Sequence, residues 1–329
     1  MLPRIAWGLG DPAGIGPELV AKALVDRDLL ALCRPVVVGP AWLLASGLKV
    51  ARVQVKTAVT PVERIESAPA DVIPVVDAGW PEQPFTPGVL SGAGGKLSMD
   101  MLKVAFDLTK KGVTGAVVYG PLNKEAMSKG GSPYKDELRL FGDWLGDTDR
   151  GEINAAAGLF TTRVTSHVPL KEVPALIQPD RIIKAIRLLH KTLVAAGLTA
   201  PRIGVAALNP HGGEHGLCGD EEVRVIGPAV AEAQKQGLPA QGPFPADTIF
   251  VRARKGEFDG VVIMYHDQGQ VATKLLGFDQ GVTISGGLSF PVLTPAHGTA
   301  YDIAGKGIAN LGAFKEAARL GAKMAAART

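Results

Sequence analysis

The sequence predicts an α/β fold built around a largely parallel sheet. Short apolar segments with strand character alternate along the chain with longer segments of helical apolar spacing. The 329 residues, 46% of them hydrophobic, suffice for two domains or one large α/β unit. Neither an internal repeat nor a low-complexity linker interrupts the pattern. We therefore expect a compact globular protein.

The predicted strands are short, apolar and bounded by turn-forming residues. In chain order they are RIAWGLG (4–10), PVVVG (35–39), DVIPVVD (71–77), GAVVYG (115–120), RIGVAAL (202–208), FDGVVIMYH (258–266) and GVTISGG (281–287). The glycines of GLGDPAGIG, after the first strand, do not have the G-x-G-x-x-G spacing. The sequence thus has no Rossmann fingerprint, and a dinucleotide must bind in another way.

The predicted helices follow from apolar spacing and from their first residues. Residues 16–32 predict one helix with Pro17 in its first turn, where a missing N–H costs little. Residues 95–111 place apolar side chains at helical intervals. Further helices are predicted over 220–236 and 313–326.

Composition excludes several classes of protein. The net charge is +3, the basic residues are scattered and aromatic residues make up 5%, so nothing indicates nucleic-acid binding. Cys33 and Cys218 lie far apart, which excludes a disulfide framework and a cysteine-based zinc motif. Residues 1–16 predict a strand and a loop rather than a signal peptide. No apolar run approaches the roughly 18 residues of a membrane span, and we expect a cytoplasmic protein without a membrane partner.

Three histidines lie between a predicted strand and a turn: His167, His211 and His266. Ligands of open α/β sheets bind beyond the carboxyl ends of the strands. Three imidazoles there would suit a divalent metal ion with open positions for a substrate. The long spacing also leaves three separate roles open. His190 is expected to be structural, and His215 to lie near the site without binding the metal.

Two loops combine small residues with charged ones. GDPAGIGPE (10–18) closes the first strand and contains Asp11. HGTAYDIAGKGIAN (297–310) contains Asp302 and Lys306 among small residues. Such a loop would let a nucleotide approach the backbone closely. The alternative is an ordinary connection between secondary-structure elements.

The segment HGTAYDIAGKGIAN closely resembles the adenosine-binding loop of isocitrate and isopropylmalate dehydrogenases. The whole chain is still more similar to the 4-hydroxythreonine-4-phosphate dehydrogenase family of that superfamily. The matching segments run from residue 10 to 310 in the family's order. They are GDPAGIGPE, GPLNKEA, SHVPL, NPHGGE, GPFPADT, YHDQGQVATKLL and HGTAYDIAGKG.

This resemblance implies the two-domain fold of isocitrate and isopropylmalate dehydrogenases. It implies a discontinuous nucleotide-binding domain, residues 1–133 with 282–329. Residues 134–281 would form the domain that carries substrate, metal and dimer contacts. The resemblance further implies a homodimer with active sites at the subunit interface.

The resemblance also implies oxidation of a small hydroxy acid, with decarboxylation, by NAD or NADP and one divalent metal ion (Zn, Mg, Mn or Co). The metal ligands would be His167, His211 and His266, one of them from the other subunit. The cofactor would contact Asp11, Gly14, His297, Gly298, Asp302 and Lys306. Lys124, Asp247 and Asp267 lie in matching motifs and are candidates for proton transfer or for orienting a histidine ligand.

The chain departs from the family's pattern at the predicted substrate contacts. Lys135 and Asp136 replace a His-Thr pair, Thr283 replaces an Asn and Val292 replaces an Arg, while Lys274 is retained. Valine cannot bind phosphate as arginine does, so we expect poor turnover of 4-hydroxythreonine 4-phosphate. The alternatives are a related dehydrogenase of another diol acid, or a non-catalytic protein that binds metal or nucleotide. The diol acids are threonate or erythronate 4-phosphate and the cis-dihydrodiol dicarboxylates of aromatic-acid breakdown.

Overall fold

The computed structural model describes residues 2–328, the side chain of residue 278 excepted. The chain divides into two compact units, Met1–Thr148 with Leu288–Thr329 (unit 1) and Asp149–Gly287 (unit 2). Among the described residues, no helix has the length and apolarity needed to cross a membrane.

The strands are β1 (Arg4–Gly8), β2 (Arg34–Val38), β3 (Thr57–Val59), β4 (Ile73–Val76), β5 (Ala116–Tyr119), β6 (Gly151–Ala156), β7 (Leu159–Arg163), β8 (Ile203–Ala206), β9 (Ala240–Phe244), β10 (Gly260–Ile263), β11 (Val282–Gly286) and β12 (Val292–Pro295). The helices are α1 (Gly16–Ala23), α2 (Arg27–Leu30), α3 (Ala41–Ala51), α4 (Gly92–Lys110), α5 (Lys124–Lys129), α6 (Glu137–Leu145), α7 (Val173–Leu176), α8 (Pro179–Ala195), α9 (Gly227–Lys235), α10 (Ala246–Arg254), α11 (His266–Gly277) and α12 (Gly312–Ala326).

Unit 1 has the strand order β3-β4-β2-β1-β5-β12, and all its ladders are parallel. Its core contains an aromatic group in which Phe106 of α4 lies 4.8 Å from Phe141 of α6 and 5.3 Å from Phe290, between ring centroids. Because Phe141 belongs to this core, the chain up to residue 148 belongs to unit 1. The resemblance implies an earlier boundary, at residue 133.

Unit 2 has the strand order β11-β6-β7-β10-β8-β9. The ladders of β10 with β7 and β8, and of β8 with β9, are parallel. Strand β6 runs antiparallel to both β7 and β11. Because β11 pairs with β6, unit 2 extends to residue 287, six residues beyond the boundary at 281 that the resemblance implies. The fold is thus α/β with a mostly parallel sheet, as predicted.

Every strand given above from the sequence is present, with ends within three residues of the predicted ones, and the strand expected before His167 is β7. Strands β3, β6, β9 and β12 were not predicted. The helix predicted over 16–32 is wrong in its second half, because α1 ends at Ala23. The carboxylate of Asp26 accepts hydrogen bonds from the backbone N–H groups of Asp28 and Leu29 and starts the separate helix α2. The segment predicted as helix over 220–236 contains a π-helical turn, Glu222–Ile226, before α9.

Candidate metal and nucleotide sites

In unit 2, two of the three predicted ligand histidines lie together. The ring centroids of His167 and His266 are 5.6 Å apart. His167 follows the end of β7, and His266 is the first residue of α11, three residues after the last residue of β10. Strands β7 and β10 are parallel neighbours, so their carboxyl ends meet at one edge of the sheet. That edge is where open α/β sheets bind ligands.

The pair fits a metal ion in its spacing and its hydrogen bonding. With Zn–N distances of about 2.0–2.1 Å, two imidazoles on one tetrahedral ion have centroids about 5 Å apart. The Nδ1 atom of His266 lies 2.6 Å from Oδ1 of Asp267. When Nδ1–H donates to this carboxylate, the Nε2 lone pair is left for a metal, which is the usual arrangement of ligand histidines.

His211 lies in a separate, tightly bent loop of unit 2. Residues 211–214 all have left-handed backbone, with φ between 42° and 76°. His167 also has a positive φ, of 51°. Such conformations cost about 1–3 kcal/mol at non-glycine residues and concentrate at functional sites. Among residues 2–328, no three His, Cys, Asp or Glu side chains come close enough together to hold a metal ion. In the described residues, the His167–His266 pair therefore has no third side chain of these types in position to share a metal ion with it.

The buried carboxylate of Glu222 anchors the base of the His211 loop. Its Oε1 atom accepts hydrogen bonds from the backbone N–H groups of Leu208 (2.7 Å) and Asn209 (2.8 Å). The side-chain amide of Asn209 donates to Glu221 and Glu222. Glu222 is only 4% exposed. These four bonds hold the strand exit from β8 in place, and no pattern in the sequence predicts them.

In unit 1, Asp11 joins two of the predicted cofactor loops. Its Oδ1 atom accepts from the backbone N–H of Ala13 (2.8 Å), and its Oδ2 atom accepts from the hydroxyl of Tyr301 (2.8 Å). Burial raises the pKa of Asp11 above its usual value, while the bonds from Tyr301 and Ala13 act to lower it. Asp11 is 1% exposed, and its carboxylate holds the two loops together.

Gly14 has a related structural role. A Cβ atom at this position would lie 3.0 Å from Cβ of Thr299, and the neighbouring N–H of Ile15 donates to the carbonyl of Thr299. Glycine thus permits the close approach of the loops 10–16 and 297–309. This close approach alone accounts for a glycine at position 14, and the contact of Gly14 with a cofactor stays a prediction.

Helix α1 holds the far end of the same loop. Glu18, which is 2% exposed, accepts through Oε1 from the backbone N–H of Ala309 (2.8 Å). The same oxygen lies 2.7 Å from Nζ of Lys22. Lys22 also donates to the carbonyls of Gly307 and Ala309. Residues 307–309 are therefore fixed to α1 by a partly buried ion pair and three bonds to the backbone.

The other predicted cofactor residues face outward on this anchored loop. Gly298, Asp302 and Lys306 are exposed, and His297 is half-buried. A Cβ at Gly298 would meet no atom within 4 Å, so the backbone there is open. A carboxylate, an ammonium group and open backbone form a donor set that suits the ribose and phosphate groups of a nucleotide.

Among the predicted catalytic and substrate residues, some are exposed and others bond within the protein. Lys124, Lys135, Asp247 and Lys274 are exposed, at or near the starts of α5, α6 and α10 and within α11. Asp136 caps α6, with Oδ1 accepting from the backbone N–H of Arg139 (2.9 Å). Thr283 accepts a hydrogen bond from Asn154 (3.2 Å).

Val292 does not lie at a substrate surface. It is fully buried in β12 within the aliphatic and aromatic core of unit 1. We therefore remove it from the substrate contacts predicted from the sequence. An arginine introduced there would place a guanidinium in a hydrophobic core, at a large desolvation cost.

Comparison with known proteins assigns the family. The model of the family described as "Pyridoxal phosphate biosynthetic protein PdxA" matches residues 31–321. The chain belongs to this family. A putative 4-hydroxythreonine-4-phosphate dehydrogenase 2 of Pseudomonas aeruginosa is 44% identical, over 98% of this chain and 97% of its own. A putative D-threonate 4-phosphate dehydrogenase of Symbiobacterium thermophilum is 40% identical, over 99% and 97%.

The fold agrees with that of solved PdxA-family structures. The crystal structure of 4-hydroxythreonine-4-phosphate dehydrogenase from Klebsiella pneumoniae has a TM-score of 0.88, with 35% identity over 99% of this chain and 98% of its own. Membership of the PdxA family, whose relatives are named as dehydrogenases, supports an oxidoreductase.

Proposed function

We propose that this PdxA-family protein oxidises a phosphorylated hydroxy acid with NAD or NADP and a divalent metal ion, and that the product then loses carbon dioxide. The observation that carries the proposal is the His167–His266 pair, with Asp267 on Nδ1 of His266. The metal ion, Zn, Mg, Mn or Co, would be held by these two histidines and by His211. The relatives named for 4-hydroxythreonine 4-phosphate and D-threonate 4-phosphate support a phosphorylated substrate.

Both of those compounds have a hydroxyl group at the carbon β to the carboxylate. Oxidation removes that carbon's hydride and the hydroxyl proton and leaves a β-keto acid. Loss of carbon dioxide then leaves an enolate, which takes up one proton. When bound, NAD(P) accepts the hydride, and a divalent ion stabilises negative charge on the substrate oxygen.

The chain's own residues would orient the ligands, move protons and bind the charged ends of the substrate. Asp267 would hold the Nδ1 proton of His266 and so fix the orientation of its ring. The exposed Lys124 and Asp247 remain our candidates for proton transfer. Lys135 and Lys274 would attract the phosphate or carboxylate as point charges, without the bidentate geometry of an arginine. Asp136 caps α6, so its carboxylate is already engaged with the helix.

A homodimer would complete the metal site. Large exposed apolar side chains of unit 2 lie close in sequence to candidate site residues: Leu170 is 68% exposed, Leu217 80% and Leu275 84%. Leu170 follows His167 by three residues, Leu217 lies in the His211 loop, and Leu275 follows Lys274. Burial of these three side chains against a second subunit would remove apolar surface from water.

Reduced-nicotinamide absorbance tests the proposal. The purified protein is incubated with NAD or NADP, one divalent metal and one of three substrates: 4-hydroxythreonine 4-phosphate, D-threonate 4-phosphate or unphosphorylated D-threonate. We expect turnover of a phosphorylated compound, loss of turnover with a chelator, and release of carbon dioxide in step with the reduced cofactor.

Histidine variants complete this test. His266→Ala should lower kcat/KM by more than 100-fold, because a metal ligand is lost. His190→Ala, in helix α8, is the matched control and should retain turnover. Turnover of the unphosphorylated acid alone would reject the proposed substrate class, and metal-independent turnover would reject the metal.

A further inference from the structure

Unit 2 contains a polar network around two buried side chains, Arg163 and Asn154. The side chain of Arg163, at the end of β7, is only 4% exposed. Its guanidinium donates to Ser166 (2.9 Å) and Asn154 (3.0 Å) and pairs with Glu152 at 2.7 Å. A buried arginine is costly unless its donors are satisfied, so these partners fix its position.

The amide of Asn154 in β6 is the centre of this network. Its Oδ1 atom accepts from Nη1 of Arg163 (3.0 Å) and from Nε2 of Gln270 (2.5 Å). Its Nδ2 atom donates to Thr283 and Glu152, each at 3.2 Å. Arginine has donors only, so the oxygen of Asn154 must face Arg163. The NH₂ group of Gln270 must then point to the same oxygen, and the orientation of both amides is determined.

The two donors to Asn154 lie on the strand that precedes His167 and on the helix that begins at His266. Arg163 ends β7, four residues before His167, and Gln270 lies on α11, one helical turn after His266. One oxygen atom therefore connects the strand that leads to His167 with the helix that begins at His266. We propose that Asn154 is a positioning residue, which sets the two histidines at the separation a metal ion requires. This inference rests on the metal site of the proposed function.

The other side of the Asn154 amide reaches the predicted substrate contact. Thr283 in β11 accepts from Nδ2, opposite Asn154 in the antiparallel register. The same side chain thus holds the histidine pair through its oxygen and Thr283 through its nitrogen. A change at Asn154 is expected to affect the metal site first and KM for the substrate second.

Cobalt binding without substrate tests this inference. Co²⁺ is titrated into the metal-free protein, and its visible absorption reports both affinity and ligand geometry. We expect Gln270→Leu and Asn154→Leu to bind Co²⁺ about 10–100-fold more weakly, the usual effect of losing a group that orients a metal ligand. The absorption spectrum should change as well, which loss of folded protein alone would not cause.

Thr161→Val is the matched control, because it removes a buried hydroxyl from β7 while all the side-chain bonds of Asn154 remain. It should bind Co²⁺ as the unmodified protein does. If Asn154→Leu does not fold, the result for Gln270→Leu tests the inference. Gln270 is only half-buried, so we expect that variant to fold. Unchanged affinity and spectrum in folded Gln270→Leu would overturn the inference. Failure of the unmodified protein to bind Co²⁺ would instead overturn the proposed metal site.

Discussion

At the scale of single residues, the carboxylate of Asp11 holds two loops of unit 1 together. Asp11 stands in a motif that resembles a cofactor loop, yet both its oxygens bond within the protein. The partner Tyr301 lies 290 residues away along the chain. A motif shows which residue type is present, but the partner of a buried carboxylate is set by the tertiary fold. Sequence reasoning therefore found Asp11 and missed Tyr301.

The Asp11–Tyr301 bond predicts a pH-dependent stability change. Because burial raises the folded-state pKa of Asp11, its protonation contributes stability that is present below its unfolded pKa, about 3.9. This contribution is lost as the pH rises through the folded-state pKa. The bond from Tyr301 lowers this pKa. Tyr301→Phe removes the bond, so the folded-state pKa rises further and the stability lost between low and neutral pH is larger. We expect the variant to lose about 1.5–3 kcal/mol of unfolding free energy at pH 7, and the difference to shrink as the pH falls through the raised folded-state pKa values towards about pH 4.

Urea denaturation followed by tryptophan fluorescence measures this change in unit 1, because all 4 tryptophans of the chain lie there. Tyr134→Phe is the control, since the hydroxyl of Tyr134 donates to Asp143 in an exposed pair. Equal losses for Tyr301→Phe at pH 7 and pH 4 would contradict the assignment of the effect to Asp11.

At the scale of elements, the strands were predictable because their apolar runs are local signals. The polar strand β6, GEINAA, has no such signal, and its position follows from pairing with β7 and β11. The histidine loops were found because histidine at a strand exit is uncommon. Their anchors, Glu222 and Asn154, were not found, because a carboxylate or an amide in a polar segment is typical of exposed surface.

The attachment of loop 307–309 to α1 predicts a local change in dynamics. Glu18→Ala removes the acceptor for the N–H of Ala309 and the partner of Lys22. A hydrogen bond to a charged group contributes about 1.5–3 kcal/mol, so amide exchange at residue 309 should accelerate by roughly 10–100-fold. Hydrogen–deuterium exchange of the peptide that covers 303–310 measures this effect.

Two further variants define the role of Glu18. Glu18→Gln keeps an oxygen acceptor and should give an intermediate exchange rate. Lys315→Ala, which breaks ion pairs of α12 with Asp26 and Asp28, should leave residue 309 unchanged. If exchange at 309 is equally slow in Glu18→Ala, the loop is held by other contacts. A lower affinity for NADH in the same variant would connect the anchor to cofactor binding.

At the scale of the whole molecule, the chain has the fold of the PdxA family but presents its candidate ligands in two places. His167 and His266 lie together, and in the part of the chain that the structure describes no third His, Cys, Asp or Glu completes a group that could hold a metal ion. A homodimer in which each site takes His211 from the second subunit would bring the three histidines together. Sequence alone could not assign the histidines to subunits, because spacing carries no information on which chain supplies a ligand.

Subunit complementation tests this assignment. His167→Ala and His211→Ala should each be inactive alone. In mixed dimers, one of the two sites would combine the intact His167–His266 pair of one subunit with the intact His211 of the other. With random exchange half of the dimers are mixed, so about a quarter of the unmodified activity should return. His266→Ala mixed with His211→Ala should behave in the same way. His167→Ala mixed with His266→Ala should stay inactive, since both changes affect the pair that one chain supplies. Recovery in that last mixture would show that these two histidines serve the same site from different subunits, and would overturn the pairing inferred from their 5.6 Å separation.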